Sequence, residues 1–128
     1  FLPGETEPMD VLVDRGSASA SEIVAAAPED NARAVVDGER TYGKGSVQSV
    51  FRLAPDQKNA VKLTTQTWWR PSGKNMDKLY AEKQKTDEWG VVPNEEMTVQ
   101  FTDPEYLRYR TELRKLEYVA GRPDVGGP

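Results

Sequence analysis

The stretch VLVDRGSASASEIVAAA, residues 11–27, decides the fold of this chain. Its first three residues form a short apolar run that a polar turn with glycine closes, as is typical of a buried strand. The small, helix-prone residues 19–27 predict a helix that ends near Pro28. A second apolar run at residues 34–36 predicts another strand. Strand, helix and strand in this order predict a parallel pair joined by a crossover helix, and therefore an α/β fold.

Downstream of this unit, alternating apolar and polar residues predict a long hairpin. Its strands are residues 47–53 and 61–69, joined by a turn at residues 55–59. One face of the second strand carries five side chains: Val61, Leu63, Thr65, Thr67 and Trp69. The adjacent Trp68 and Trp69 point to opposite sides of a strand. We expect both to pack, with a groove or an interface as the alternative for one of them.

The last part of the chain is more polar. Residues 74–88 predict a loop or a short exposed helix, and residues 91–92 and 97–99 predict extended segments. A capping box at residues 102–105, with proline in the first turn, predicts a final helix. Its apolar positions follow at helical spacing: Tyr106, Tyr109, Leu113 and Leu116. We expect the tail, residues 121–128, to be loose.

Composition narrows the function classes. The chain has 128 residues, enough for one domain or part of one, and its net charge is −4. Lysines and arginines are spread without a basic stripe, so no nucleic-acid partner is expected. Cysteine and histidine are absent, which excludes thiolate chemistry, the Ser-His-Asp triad and histidine-based metal sites. We expect neither a cofactor nor a metal, and a hydrolase built on this chain needs another base.

The serine-rich run GSASASE, residues 16–22, has two interpretations. In the first, Ser19 and Glu22 form a capping box at the start of the helix. In the second, Ser19 is a nucleophile, because a serine at a helix start lies beside free backbone N–H groups that stabilise an oxyanion. The Ala20 N–H is the candidate donor. The arrangement resembles a nucleophile elbow without its usual GxSxG pattern.

The run GERTYGKGSVQ, residues 38–48, surrounds a lysine with glycines. Gly38, Gly43 and Lys44 have the spacing of a phosphate-binding P-loop, but Gly45 stands where serine or threonine would bind magnesium. The residues that follow predict a strand, whereas a P-loop leads into a helix. Two interpretations therefore stay open: a solvated lysine in a glycine turn, or a partly desolvated amine that acts as a general base.

Together the two motifs resemble the carboxyl-terminal processing proteases, also called tail-specific proteases. The resemblance begins in residues 11–23 and is strong through residues 38–48. It continues in three short elements: Lys62-Leu63-Thr64-Thr65, Arg70-Pro71-Ser72-Gly73 and Gly90-Val91-Val92-Pro93-Asn94. The matched elements lie between about residues 10 and 100 of the chain.

The resemblance implies roles for three side chains. Ser19, the middle serine of its run, would be the nucleophile, Lys44 the general base, and Gln48 the residue that orients the lysine amine. It further implies a serine endopeptidase that cleaves proteins or peptides near their C-termini through an acyl-enzyme. The alternative is a non-catalytic peptide-binding or assembly module of the same fold.

The resemblance also implies an architecture similar to the crotonase and Clp-protease cores, with ββα units, a mixed sheet and flanking helices. Residues 1–101 would be the C-terminal part of the catalytic domain, and residues 102–128 a helix and tail. The family usually carries a PDZ domain and further core strands upstream, so activity is expected of the parent enzyme and not necessarily of this chain alone. We expect a periplasmic or cell-envelope location, and self-association into a homo-oligomer through exposed sheet edges.

Two residues depart from the family pattern. Pro28 stands where the family usually continues the helix, so we expect the helix after Ser19 to be short or kinked. Asn94 replaces a common aspartate, and we expect the effect to be confined to a turn.

Overall fold

The computed structural model describes residues 7–53 and 59–117. Within them, strands occupy Asp10–Val13 (β1), Val35–Gly38 (β2), Ser46–Arg52 (β3) and Ala60–Thr67 (β4). Helices occupy Ala20–Asp30 (α1), Lys78–Gln84 (α2) and Asp103–Glu117 (α3), and a 3₁₀ turn spans Glu95–Met97. The expected hairpin turn, except for its last residue, and the expected loose tail lie outside the described residues.

The predicted strand–helix–strand unit is confirmed. β1 and β2 pair in parallel, from Asp10 opposite Val35 to Val13 opposite Gly38, and α1 connects them. The buried apolar core is Val13, Ala25, Ala26, Val36, Met76 and Val91. Two of these residues are alanines of α1, and their short side chains let the helix backbone lie close to its neighbours.

The predicted hairpin is also confirmed. β3 and β4 pair antiparallel, with a shift of register between Val47 and Gln48. Every residue of β4 is exposed, including the predicted apolar face with Val61 and Leu63. The expected α/β class is confirmed; its parallel and antiparallel strands form two separate two-stranded sheets in the described part of the chain.

Trp68 and Trp69 follow β4, and the expectation that both pack is wrong for the described chain. They are 44% and 53% exposed. Trp69 meets the Tyr80 ring edge-on, with centroids 5.6 Å apart, while the Trp68 backbone N–H donates to the Gly45 carbonyl at 2.6 Å. Both tryptophans are exposed because no other element among the described residues packs on the hairpin.

Helix α1 is longer than the sequence predicted. It was expected to end near Pro28 and to be short or kinked, but it continues through Pro28 to Asp30. A proline interrupts a helix because it lacks the N–H that bonds one turn back. At Pro28 the loss is the one bond that an N–H there would donate to the Val24 carbonyl, and the helix continues for two more residues. The Pro28 carbonyl then accepts the Arg33 N–H at 2.8 Å and closes the helix.

Residues 74–88 contain an exposed helix and, before it, a short buried segment. Helix α2 is the expected short helix, exposed apart from Ala81. The preceding Asn75, Met76 and Asp77 are buried, and Met76 is only 1% exposed. The sequence did not predict this, because one apolar residue between polar neighbours carries no periodic signal.

The segment after α2 runs along β2. The expectation of extended segments at residues 91–92 and 97–99 is wrong at Met97, which belongs to the 3₁₀ turn. Asn94 does more than shape a turn: its Oδ1 accepts the Val36 N–H at 2.9 Å, and its own N–H donates to the Val36 carbonyl at 3.0 Å. An aspartate would offer the same acceptor oxygen to the Val36 N–H.

Helix α3 begins at the predicted capping residues, and the glutamate half of the capping box is confirmed. Glu105 Oε2 accepts the N–H of Thr102 at 2.9 Å and its hydroxyl at 2.7 Å. Across the ranges 7–53 and 59–117, no helix is long and apolar enough to cross a membrane.

Arg15 joins α3 to the loop after β1. Its Nε and Nη2 donate to the two carboxylate oxygens of Glu39, each at 2.9 Å, and its Nη1 donates to Asp103 at 2.7 Å. The guanidinium also lies over the Tyr106 ring, 4.7 Å from its centroid. The hydrogen bond from Arg15 lowers the pKa of Glu39 below its usual value.

Candidate active site

Ser19 occupies a sharp turn between β1 and α1. It is the N-cap residue of α1, with φ 59° and ψ −116°, and its side chain is half-buried. A positive φ is uncommon for a residue with a Cβ and costs about 1–3 kcal/mol, and such strain clusters at functional sites. The strand–turn–helix geometry is that of an elbow, which is consistent with the nucleophile interpretation of GSASASE.

Residues 43–45, the lysine turn, lie in the loop that joins β2 to β3, with Lys44 at their centre. Gly43, before it, has φ 81°, which favours glycine. The Lys44 side chain is exposed in the described chain, which favours the solvated-lysine interpretation of the glycine turn over a partly desolvated amine. Gln48 lies in β3, directly after the shift of register, and is also exposed.

The carboxylate of Glu22 accepts hydrogen bonds both from Ser19 and from the lysine turn. Its Oε2 accepts the backbone N–H of Ser19 at 2.7 Å and that of Lys44 at 2.8 Å. Its Oε1 accepts the Gly43 N–H and the Thr41 hydroxyl, both at 2.6 Å. Glu22 is fully buried, and four hydrogen bonds compensate for the loss of water around its carboxylate.

The capping interpretation and the nucleophile interpretation of the GSASASE run are therefore compatible. The bond to Ser19 is the capping bond that the sequence predicted. The bonds to Gly43 and Lys44 connect one motif to the other, and no short-range pattern indicates them.

All three N–H groups of the lysine turn are occupied. Those of Gly43 and Lys44 donate to Glu22, and that of Gly45 donates to Asp77 Oδ2 at 3.2 Å. Successive N–H groups of this kind cradle phosphate in a P-loop. Here the carboxylates of Glu22 and Asp77 accept these N–H groups, and the strand β3 follows instead of a helix. Both observations are against nucleotide binding at this loop.

Lys44 and Gln48 line one open pocket of about 530 Å³. Its other walls include Tyr42, Leu79 and Trp89. Ser19 is not among the described residues that line this pocket, and no hydrogen bond within the described chain joins Ser19 Oγ to Lys44 Nζ. The structure thus brings the two backbones together through Glu22, while the two reactive side-chain atoms are not in contact.

The Ala20 N–H is oriented by its place at the first position of α1. The N–H groups of the first helical turn have no partner one turn back. In the described residues the Ala20 N–H donates to no hydrogen bond, whereas the Ser21 N–H donates to the Ala18 carbonyl at 3.3 Å. Ala20 as a residue is also exposed.

Arg70, in the Arg-Pro-Ser-Gly element, clamps the C-terminal end of α1. It donates to Glu29 at 2.6 Å and to both carboxylate oxygens of Asp30, and the Ser72 N–H donates to Asp30 at 3.0 Å. Burial alone would raise the pKa of Asp30, but the hydrogen bonds from Arg70 and Ser72 outweigh it and lower that pKa to about 2. Through these contacts the end of the hairpin is fixed to the helix that begins at the serine.

Metal ligation finds no support in the described ranges, where no group of three or more Asp or Glu side chains converges. Two carboxylates that the sequence did not assign to the site, Glu22 and Asp77, instead bind backbone N–H groups. For Asp77 a signal existed: Asp before a short helix is a typical N-cap, and its carboxylate does accept the Tyr80 N–H.

Comparisons with known proteins agree with one another on the family of this chain. The model of Peptidase family S41 matches residues 3–97. The chloroplastic carboxyl-terminal-processing peptidase 2 of Arabidopsis thaliana is 42% identical over 100 residues, which cover 78% of this chain and 17% of that protein. The carboxy-terminal processing protease CtpB of Bacillus subtilis is 33% identical over 125 residues, covering 91% of this chain and 25% of that protein.

A solved structure, of a photosystem II D1 C-terminal processing protease, superposes with a TM-score of 0.59 at 35% identity, over 74% of this chain and 21% of that one. This chain belongs to Peptidase family S41, as the resemblance predicted. It spans about a fifth of the length of the relatives it matches.

Proposed function

We propose that this chain supplies the nucleophile and the general base of a serine endopeptidase that cleaves proteins or peptides near their C-termini. One observation carries the proposal: Ser19, in a strained elbow, and Lys44, in a glycine turn, are both bound through their backbones to the same Glu22 oxygen. Because both nitrogens lie within 2.8 Å of that atom, an extended lysine side chain spans the gap. The proposal requires that rotation of the two side chains brings Lys44 Nζ to Ser19 Oγ.

The proposed reaction begins with the neutral Lys44 amine. Its nitrogen takes the proton of Ser19 Oγ while this oxygen attacks the scissile carbonyl. The tetrahedral intermediate collapses to an acyl-enzyme, and the Lys44 ammonium returns its proton to the leaving amine. Water then attacks the ester, with Lys44 again as the base, and releases the new C-terminus and free Ser19.

Two further groups assist this reaction in the proposal. The Ala20 N–H at the start of α1, which has no partner among the described residues, donates to the developing oxyanion, where the positive end of the helix dipole adds stabilisation. Gln48, which lines the same pocket as Lys44, orients the amine by accepting a hydrogen bond from it.

The proposal extends to the rest of the enzyme. The matched relatives are several times longer than this chain. We infer that residues 1–101 are the C-terminal part of the catalytic domain, that the parent protein adds a PDZ domain and the remaining core strands, and that it acts in the periplasm or cell envelope. The exposure of Lys44 supports this division, since the walls that would favour a neutral amine by excluding water would then come from outside this chain.

The test uses the intact parent protein and an unstructured substrate with an apolar C-terminus. We expect Ser19→Ala and Lys44→Ala each to reduce kcat by several orders of magnitude. Ser21→Ala is the matched control, because it removes an exposed hydroxyl two residues from Ser19. Equal cleavage by wild type and Ser19→Ala, with folding intact, would exclude the mechanism.

The exposed hairpin favours a second candidate, a peptide-binding or assembly module. Phe51 and Leu63 are 49% and 51% exposed on β3 and β4, and exposed strands with apolar side chains are prone to pair with other chains. This candidate predicts a homo-oligomer or a peptide complex that Ser19→Ala leaves intact. Light scattering that gives a monomer, together with proteolysis lost in Ser19→Ala, would decide for the enzyme.

A further inference from the structure

We propose that Asp77 is a positioning residue for Lys44, an inference that rests on the proposed function. Its carboxylate fixes the peptide unit that follows Lys44, just as Glu22 fixes the peptide unit that precedes it. Together the two carboxylates set the direction in which the lysine side chain leaves the backbone.

The Asp77 carboxylate has two partners. Its Oδ2 accepts the Gly45 N–H at 3.2 Å, and its Oδ1 accepts the Tyr80 N–H at 3.1 Å. The residue is 6% exposed. One buried carboxylate therefore caps α2 and holds the lysine turn at the same time.

The first turn of α2 lies directly against the lysine turn. A Cβ on Gly45 would stand 2.7 Å from the Asp77 nitrogen, so only glycine permits this approach. The Lys78 N–H donates to the Gly43 carbonyl at 2.9 Å. The turn is thus bound to α2 on both sides of Lys44.

Asp77 is itself held by the core. Its N–H donates to Asn75 Oδ1 at 2.8 Å. Met76, next to it, is 1% exposed, and its carbonyl accepts the Gly90 N–H at 3.0 Å. The carboxylate is therefore a fixed point against which the turn is set.

Fixing both peptide units around Lys44 has a geometric consequence. The N–H of Lys44 belongs to the preceding peptide unit and donates to Glu22, and the N–H of Gly45 belongs to the following one and donates to Asp77. With both planes fixed, φ and ψ of Lys44 are fixed, and with them the direction of its Cα–Cβ bond. The Lys44 side chain is exposed, so its backbone is what limits where the amine can go.

The experiment compares Asp77→Ser and Asp77→Asn in the intact protein. Serine can still cap α2 but is too short to reach Gly45 as well, whereas asparagine keeps an acceptor oxygen of the same reach. We expect Asp77→Ser to lower kcat about tenfold to a hundredfold with little change in KM, since small misplacements of a catalytic group cost this much. Asp77→Asn should recover part of the loss. Glu112→Gln, at an exposed position of α3, is the control and should match wild type.

Hydrogen exchange separates positioning from a general loss of structure. In Asp77→Ser, amides 43–45 should exchange faster while amides 81–84 of α2 keep wild-type protection. Unchanged kcat in Asp77→Ser, or equal loss of protection in α2 and the turn, would overturn the proposal. An inert wild-type protein would instead overturn the proposed function on which it rests.

Discussion

Ser19 and Lys44 donate their backbone N–H groups to the same atom, Glu22 Oε2, over 2.7 and 2.8 Å. One oxygen thereby sets the distance between the residues that carry the proposed nucleophile and base. Glu22 is fully buried, and its partners in these contacts are N–H and hydroxyl groups. The contact makes the geometry of the site sensitive to a side chain that never touches substrate.

Replacing Glu22 with glutamine should disturb stability and activity together. The amide NH₂ of glutamine would face N–H donors that now meet an oxygen, and each unsatisfied buried donor costs about 1–3 kcal/mol. We expect Glu22→Gln to lose about 2–4 kcal/mol of unfolding free energy in chemical denaturation, and kcat to fall. Glu112→Gln makes the same change on an exposed surface. A Glu22→Gln protein as stable as this control would contradict the role of Glu22.

Gly43→Ala and Gly73→Ala form a matched pair. Both glycines have nearly the same positive φ, 81° and 79°, so alanine costs about 1–2 kcal/mol of backbone strain at each. At Gly43 the new Cβ would also stand 2.7 Å from Trp89 Cε3, while at Gly73 it would meet no atom within 4 Å. We expect Gly43→Ala to be less stable than Gly73→Ala by a further 1–3 kcal/mol or so, the usual cost of overpacking. Thermal unfolding of the two variants measures the difference, and equal melting temperatures would show that Trp89 yields freely.

Protonation of Asp30 in acid should remove its ion pair with Arg70 and lower the stability of the protein. The pKa of Asp30 falls from its ordinary 3.8 to about 2 in the folded state. A depressed pKa means that the pair stabilises fully above pH 3.8 and that this stabilisation disappears as the pH falls towards 2. The shift corresponds to roughly 2 kcal/mol. The stability gap between wild type and Asp30→Asn should therefore narrow between pH 5 and pH 2 or so, and a gap independent of pH would contradict the assignment.

Arg15→Lys should loosen α3 selectively. Lysine cannot donate to both oxygens of Glu39 and also to Asp103, because it lacks the planar fork of donors. We expect faster hydrogen exchange in α3, with α1 unchanged. Since the hydrogen bond from Arg15 lowers the pKa of Glu39, acidification below the usual glutamate range should loosen wild-type α3 in the same way. Arg114→Lys, at an exposed position of α3, provides the control. Unchanged exchange in Arg15→Lys would show that α3 is held by other contacts.

The sequence predicted those parts of the fold that depend on local pattern. The apolar runs of β1 and β2, the alternation in β3 and β4 and the glutamate half of the capping box of α3 are all short-range signals, and each was confirmed. The predictions failed where the outcome depends on distant contacts. Met76 enters the core although its two neighbours along the chain, Asn75 and Asp77, are polar, and no periodicity predicts this placement.

The same distinction applies to the site. Ser19, Lys44 and Gln48 were proposed from spacing and resemblance, and their roles stay predictions. The capping bond between Glu22 and Ser19 spans three residues and could be predicted. The bond from Lys44 to Glu22 spans 22 residues and depends on how β2 returns beside β1. Exposure of both tryptophans likewise depends on what covers the hairpin, which composition does not encode.

The shared Glu22 oxygen has a consequence for how the length of this part of the protein can change. The loop at residues 31–34 joins the far end of α1 to β2, and Asn31 and Ala32 are exposed there. The register of β2 is set by its pairing with β1, and the lysine turn by its bonds to Glu22. Inserted residues in that loop would be absorbed at the surface, whereas one residue added between Ser19 and Glu22 would rotate the carboxylate about 100° around the helix and away from both turns. The number of residues between Ser19 and Lys44 can therefore vary through this loop, whereas the three-residue step from Ser19 to Glu22 cannot.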